Sequence, residues 1–123
     1  MLIIPKGLGA NIVINDIGSS LSGASREGAS SPTDDASGKL LRDIIALGQS
    51  RAIINRDNVL NGQAIIDSAV KEFGKVDILI NNAGILRDKS FHKMTDDDWY
   101  KVIDVHLHGS YSCTKAAWSI MMV

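Results

Sequence analysis

Cysteine is almost missing from this chain. Cys113 is the only one, so an internal disulfide is impossible. That fits a reducing compartment without proving one. Long hydrophobic runs are also missing: the longest span about five residues, against roughly 20 needed to cross a bilayer. There is no surplus of one charge, since the net charge is −1 and the pI is near 6.3. No basic stripe points to nucleic acid, and no polybasic cluster points to a membrane surface. Met1 to Lys6 is too short for a secretory leader, and Ile120 to Val123 is not a Ser-Lys-Leu-type tag. The chain carries no legible address, no internal repeat and no expected metal site.

What is present is ordinary in composition and patterned in order. The 123 residues suit one small domain or part of a larger one. A free-standing domain of this size buries roughly two-thirds of its unfolded surface, enough for one core. Hydrophobic residues make up 45% and charged residues 22%, which places the chain among soluble globular proteins.

Val76-Asp77-Ile78-Leu79-Ile80-Asn81-Asn82-Ala83-Gly84 is the most informative stretch. Its apolar run predicts a buried parallel strand. The small, turn-prone residues at its carboxyl end would let a flat ligand lie close to the backbone. The tetrad Asn81-Asn82-Ala83-Gly84 resembles the NNAG signature of the short-chain dehydrogenase/reductase family.

Other segments support an alternating order. Asn11 to Asn15 reads as a short buried strand with Asp16 just past its end. Gly18 to Gly38 is rich in Ser and Gly and reads as an exposed, flexible loop. Thr33 or Asp34 is a cap candidate for a helix whose apolar face is Ala36, Leu40, Ile44 and Leu47, with Leu41 and Ile45 beside it. Gly48 is placed to stop that helix. Arg51 to Asn55 reads as a second strand, with Asp57 beyond it. Asn58 or Asn61 would start a helix that faces Ile66, Ala69, Val70 and Phe73 inward and ends at Gly74. Thr95-Asp96-Asp97-Asp98 has the form of a capping box. A long helix follows toward Trp118, with Gly109 as a candidate bend. Strand and helix alternate throughout, which predicts an α/β fold with a doubly wound parallel sheet.

Asp16, Asp57 and Asn81 to Gly84 each follow a predicted parallel strand. In an open α/β sheet, ligands bind at that edge. A carboxylate there can accept both hydroxyls of a ribose diol and would repel a 2′-phosphate, so Asp16 favours NAD over NADP. The bland alternative is that Asp16 is only a strand-end turn residue.

The resemblance narrows further along the chain. Gly9 to Asp16, the Ser/Gly loop, Asn55 to Val59, Asn81 to Phe91, Asp98-Trp99, Val105 to Ser110 and Lys115 to Trp118 follow in order. Together they resemble the subgroup that holds the (3R)-hydroxyacyl-CoA dehydrogenase units of peroxisomal multifunctional enzymes type 2, and most of all the fungal forms. The resemblance covers nearly all of the chain from Gly9 on. It implies a partial Rossmann-type sheet, NAD as cofactor, an acyl-CoA substrate and a peroxisomal location. By position it implies that Asp16 binds ribose, that Asp57 and Val59 flank the adenine, and that Asn82, Ala83 and Gly84 lie beneath the cofactor ribose. It implies a catalytic place for His106, where most relatives carry an Asn of the proton-relay group. Read without the resemblance, His106 is a partly buried helix residue.

The same resemblance sets out what to expect missing. Family members open with a strand, a GxxxGxG turn and a helix that hold the pyrophosphate. Here only Gly7-Leu8-Gly9 stands near the start. Pro5 to Ala10 is too short a crossover for Leu2-Ile3-Ile4 to become a parallel partner. The first family strand lies between those of Ile12 and Ile78, so these either pair directly or leave a hydrophobic gap. The family's Ser, Tyr and Lys come after a further strand, beyond Val123. Tyr111 and Lys115 match the bare YxxxK spacing, but any i, i+4 pair on a helix does so by chance. The first functional reading is therefore an NAD-dependent oxidoreductase, with this stretch expected to be inactive alone. The second is a non-catalytic remnant or a binding module that dimerises through the 95–120 helix. Its stripe of Trp99, Val102, Ile103, Leu107, Tyr111 and Trp118 reads more simply as packing against the sheet. A third, an unrelated flavodoxin-like or receiver domain, lacks its phosphate loop or acidic pocket.

Overall fold

The computed structural model describes residues 9–18, 36–46, 48 and 50–122. Two short strands form its sheet: β1 (Ile12–Asn15) and β2 (Ala52–Asn55). They run parallel in the register Ile12 to Ala52 through Asn15 to Asn55. Between them lies α1 (Ala36–Ala46), the helical crossover that a parallel pair requires. The Thr33 and Asp34 cap candidates fall outside the described residues, as do Leu2 to Ile4 and Leu47. The loop reading ran too far at its end, because Ala36 to Gly38 already belong to α1 and Ser37 and Gly38 are buried. Its Ser and Gly composition hid a helix start that close neighbours make possible.

The helix α2 (Gly62–Phe73) has both its stops where the sequence put them. Asn61 accepts the Ala64 amide at the N-terminus. Gly74 takes φ +79°, and its amide returns to the Val70 carbonyl. Buried Ile65, Ile66 and Ala69 face inward, with Val70 and Phe73 half-buried beside them.

The stretch 76–80 departs from the expectation of a buried strand. It forms no strand and pairs with nothing among the described residues, whose only sheet is β1–β2. Ile78 is 78% exposed and Ile80 57% exposed. Apolar periodicity records a preference for burial, but an extended segment becomes a strand only when another supplies the ladder. Of the two outcomes expected for the Ile12 and Ile78 segments, direct pairing is not seen among the described residues.

After a short 3₁₀ turn (Phe91–Lys93), one helical run closes the chain. It begins as α3 (Asp96–Ile103), opens into a π-turn (Asp104–His108) and continues as α4 (Gly109–Met121). Gly109 thus ends a π-turn, where its amide reaches back five residues to the Asp104 carbonyl. The core is small. It joins Ile44, Ile65, Ile66 and Ala69 to Cys113 and Ala117, and α2 packs chiefly on α4. A Cβ on Gly62 would fall 2.4 Å from the carbonyl carbon of Ser112, so the two helices touch backbone to backbone there.

The apolar stripe of the long helix divides. Gly109, Cys113 and Ala117 are the buried face of α4. Val102 and Ile103 are half-buried, but Trp99, Leu107, Tyr111 and Trp118 are exposed. Packing of the whole stripe against the sheet, the simpler expectation, therefore does not hold. The small residues face α2 because only they allow the close approach.

Two substitutions separate the buried from the exposed isoleucines. Ile66→Ala, at a 3% exposed site, is expected to cost about 2–4 kcal/mol in urea unfolding. Ile78→Lys is expected to stay within about 0.5 kcal/mol of the parent. A loss at Ile78 as large as that at Ile66 would mean that the 76–80 segment is buried after all.

Candidate functional site

The carboxyl ends of β1 and β2 carry a connected polar cluster. Asn15 Nδ2 donates to Asn55 Oδ1 at 2.8 Å and to the Asp57 carbonyl at 2.8 Å. Asn55 Nδ2 donates in turn to Asp57 Oδ2 at 2.7 Å and to Ser68 Oγ at 3.3 Å. The Asp57 amide closes back on Asn55 Oδ1 at 2.9 Å. Asn55 is buried, and its amide side chain is satisfied on both ends, as burial requires. The cluster fixes where Asp57 leaves the strand.

Asp16 lies one step away on the same edge, and its amide donates to the Asn55 carbonyl at 3.0 Å. Its Oδ1 accepts the Gly18 amide at 2.9 Å, which holds the carboxylate in a tight turn where Gly18 has φ +76°. No described residue donates to Oδ2. Arg56 Nη1 donates to the Asp16 carbonyl at 2.8 Å and braces the turn from the neighbouring strand end. Asp16 and Asp57, named from the sequence, are thus brought to one edge.

Val59 is also near this edge, but its side chain is turned toward the long helix. A Cβ on Gly109 would lie 2.6 Å from Val59 Cγ2. The Val59 carbonyl accepts the Cys113 thiol at 3.6 Å. Burial pushes the Cys113 thiol up from its ordinary value, so it is a packing group and a poor thiolate.

Asn82, Ala83 and Gly84, just after the 76–80 segment, are exposed. Asn81 is tied to α4, where its Nδ2 donates to Thr114 Oγ1 at 3.0 Å. Gly84 also makes room for another part of the chain. A Cβ at Gly84 would meet His106 Cε1 at 2.8 Å, so the imidazole takes the place of the absent side chain. His106 Nε2 stands 3.1 Å from the Ile85 amide and 3.0 Å from the Ile85 carbonyl. One tautomer accepts from the amide, and the other donates to the carbonyl. His106 is exposed rather than half-buried, because the π-turn turns it out over the segment end. Ser110 Oγ donates to the His106 carbonyl at 2.7 Å.

One helical run therefore reaches both parts of the site.

Sequence reading missed two features. Asn15 and Asn55 look like strand-end polar residues until the register pairs them. Arg87 and Lys89 both converge on Asp98, at 3.0 and 2.7 Å. Thr95 Oγ1 also donates to Asp98, at 2.7 Å. The side-chain bonds from Lys89, Thr95 and Arg87 hold the buried Asp98 carboxyl well below the usual carboxylate range and outweigh its burial. The capping box seen in sequence is thus also the anchor of the loop after Gly84. Among the described residues, no cluster of three or more His, Cys, Asp or Glu could hold a metal ion. No described helix is long and apolar enough to cross a membrane.

The depressed Asp98 value sets the direction of an acid response. The stabilisation is present above the unfolded carboxyl value of about 3.9 and is lost as pH falls through the lower folded value. Urea midpoints are expected to fall on acidification from pH 5 to pH 2. Asp98→Asn should be less stable than the parent at pH 7 and should show a shallower acid slope. Equal slopes in both proteins would remove Asp98 from the acid response.

Comparison with known proteins adds lineage to this geometry. The short chain dehydrogenase family matches residues 36–123. The peroxisomal hydratase-dehydrogenase-epimerase of Neurospora crassa is 49% identical over 110 residues, covering 89% of this chain and 12% of that protein. The peroxisomal multifunctional enzyme type 2 of Drosophila melanogaster is 44% identical over 113 residues, covering 92% of this chain and 18% of that protein. A crystallised short chain dehydrogenase from Mycobacterium avium matches with a TM-score of 0.75 and 32% identity, over 94% of this chain and 38% of that one. The chain spans a minor part of each relative's length.

Proposed function

Because the chain belongs to the short-chain dehydrogenase/reductase family, we propose that it supplies the adenosine side of an NAD site in an oxidoreductase. The reaction is oxidation of a (3R)-3-hydroxyacyl-CoA to the 3-ketoacyl-CoA, in peroxisomal fatty-acid β-oxidation. The names of the fungal and insect relatives support a peroxisomal compartment, and the fungal name supports a dehydrogenase; the substrate class rests on the resemblance of the sequence.

The observation that carries the cofactor reading is Asp16. Its Oδ1 is held by Gly18, and no described residue donates to Oδ2. A carboxylate so placed fits a ribose diol and disfavours a 2′-phosphate. Asp57 and Val59 border the same edge and are the adenine side of the proposal. Asn82, Ala83 and Gly84 form the exposed floor toward the second ribose. Bound NAD would supply a hydride acceptor for the carbinol carbon, while the hydroxyl proton would pass to a base. In this chain, the proposed part of Asp16 is to hold the ribose. His106 is proposed to fix the Asn82–Ile85 floor through Ile85 and to stand at its rim as a proton-relay group.

A second reading has its own support. Leu107 of the π-turn and Tyr111 and Trp118 of α4 form an exposed apolar face, and such faces serve association. We propose that α4 pairs with a second copy of the chain. Trp118→Glu is expected to convert a dimer to a monomer in sedimentation equilibrium. A parent that is already monomeric would reject the pairing.

The cofactor proposal is tested by NADH fluorescence on a sample shown to be folded. NADH should bind weakly and better than NADPH. Asp16→Ala should weaken NADH about tenfold, the loss of hydrogen bonds to one charged group. No binding at millimolar NADH by the folded chain would reject it and favour a non-catalytic remnant.

A further inference from the structure

The turn between β2 and α2 carries Asp57 and Val59, and most of its hydrogen bonds are local. The Leu60 amide donates to Asn58 Oδ1 at 2.9 Å, and the Asn61 amide donates to the Asn58 carbonyl at 2.8 Å. These bonds shape the turn, but they do not say where it sits. The Asn15 and Asn55 cluster places its start at Asp57, and α4, some 50 residues later in sequence, places the part from Val59 to Gly62.

Ser112 makes the polar half of that tie. Its Oγ accepts the Gly62 amide at 2.9 Å and donates to the Leu60 carbonyl at 2.9 Å. The Gly62 amide belongs to the first turn of α2, whose amides have no partner inside the helix. A neighbouring helix thus satisfies it, and the same hydroxyl returns its proton to the turn. Only a group that both donates and accepts can close that pair of bonds. Gly62 permits the approach, because any Cβ would strike the backbone of Ser112 and Cys113. Cys113 bonds the Val59 carbonyl, and Gly109 seats the Val59 side chain. Three successive contacts from one helix therefore clamp 59–62.

We propose that Ser112 is the positioning residue for the adenine side of the nucleotide site. It acts through Leu60 and Gly62 and touches no cofactor itself. The inference rests on the cofactor reading above and extends it: α4 sets the adenine border as well as the His106 end. Its ligand class is an adenine nucleotide, so AMP is the direct probe.

The experiment compares the parent with Ser112→Ala. Far-ultraviolet dichroism first fixes a temperature at which both are folded, and NADH is then titrated with AMP as competitor. Ser112→Ala should weaken AMP and NADH by the same factor, about tenfold, because the change falls on the half they share. A hydroxyl that only stabilised the fold would lower the urea midpoint and leave the affinity of the folded protein alone. Unchanged AMP affinity in a folded Ser112→Ala overturns the inference while leaving the cofactor reading intact. A folded parent that binds neither NADH nor AMP overturns that reading itself, and the inference with it. If Ser112→Ala does not fold, amide exchange in the parent decides. AMP should slow exchange at Gly62, and an unchanged rate would overturn the proposal.

Discussion

At Gly62 the backbone of α2 meets that of α4 so closely that no side chain fits between them. This contact brings buried Ile65, Ile66 and Ala69 against Cys113 and Ala117. It also brings Ser112 to the start of α2 and Gly109 to Val59. Were the helices held apart by one methylene, the core would open and the turn after β2 would lose its seat. Just before Gly109 the same run opens into a π-turn, and there His106 takes the space that Gly84 leaves. The two parts of the candidate site are thus placed by one rigid element, not by separate loops. Such placement suits a site that must hold a ligand at two points.

The opposite side of the structure is less complete. The 76–80 segment is unpaired, with Ile78 and Ile80 exposed, and its carboxyl end still presents Asn82 to Gly84. It is held from outside the sheet. Asn81 bonds Thr114, Ile85 meets His106, and the loop beyond is anchored by Arg87 and Lys89 on Asp98. The charges on Asp98 therefore do work that strand pairing would otherwise share. A site edge kept in place by side chains is also a local weak point, since few buried contacts oppose its opening.

The parts legible in the sequence were those encoded locally. Gly74 as a helix stop, the Thr95 to Asp98 capping box and the Asp residues past two strand ends each depend on neighbours within a few positions. The family was legible in Asn81 to Gly84 and the ordered segments around it. What could not be read depends on contacts between distant residues. The apolar run at 76–80 declared a strand, but its pairing depends on a partner that no local pattern encodes. Ser112 looked like any helix serine, and its hydroxyl matters only because Gly62 lies against it. His106 was assigned by resemblance, yet its actual hold on Ile85 follows from the π-turn, which leaves no mark in hydrophobic periodicity. The exposed stripe of Leu107, Tyr111 and Trp118 was misjudged for a related reason: the small residues Gly109, Cys113 and Ala117 make the closer face.

The most direct test of the account is a map of amide chemical shifts in ¹⁵N-labelled chain as NAD is added. Shifts concentrated at Asp16 to Gly18, at Asp57 to Leu60 and at Asn82 to Ile85 are the expected result, because those residues border one nucleotide site joined through α4. Shifts confined to the exposed face of Tyr111 to Trp118, or no shifts in a folded sample, would contradict it.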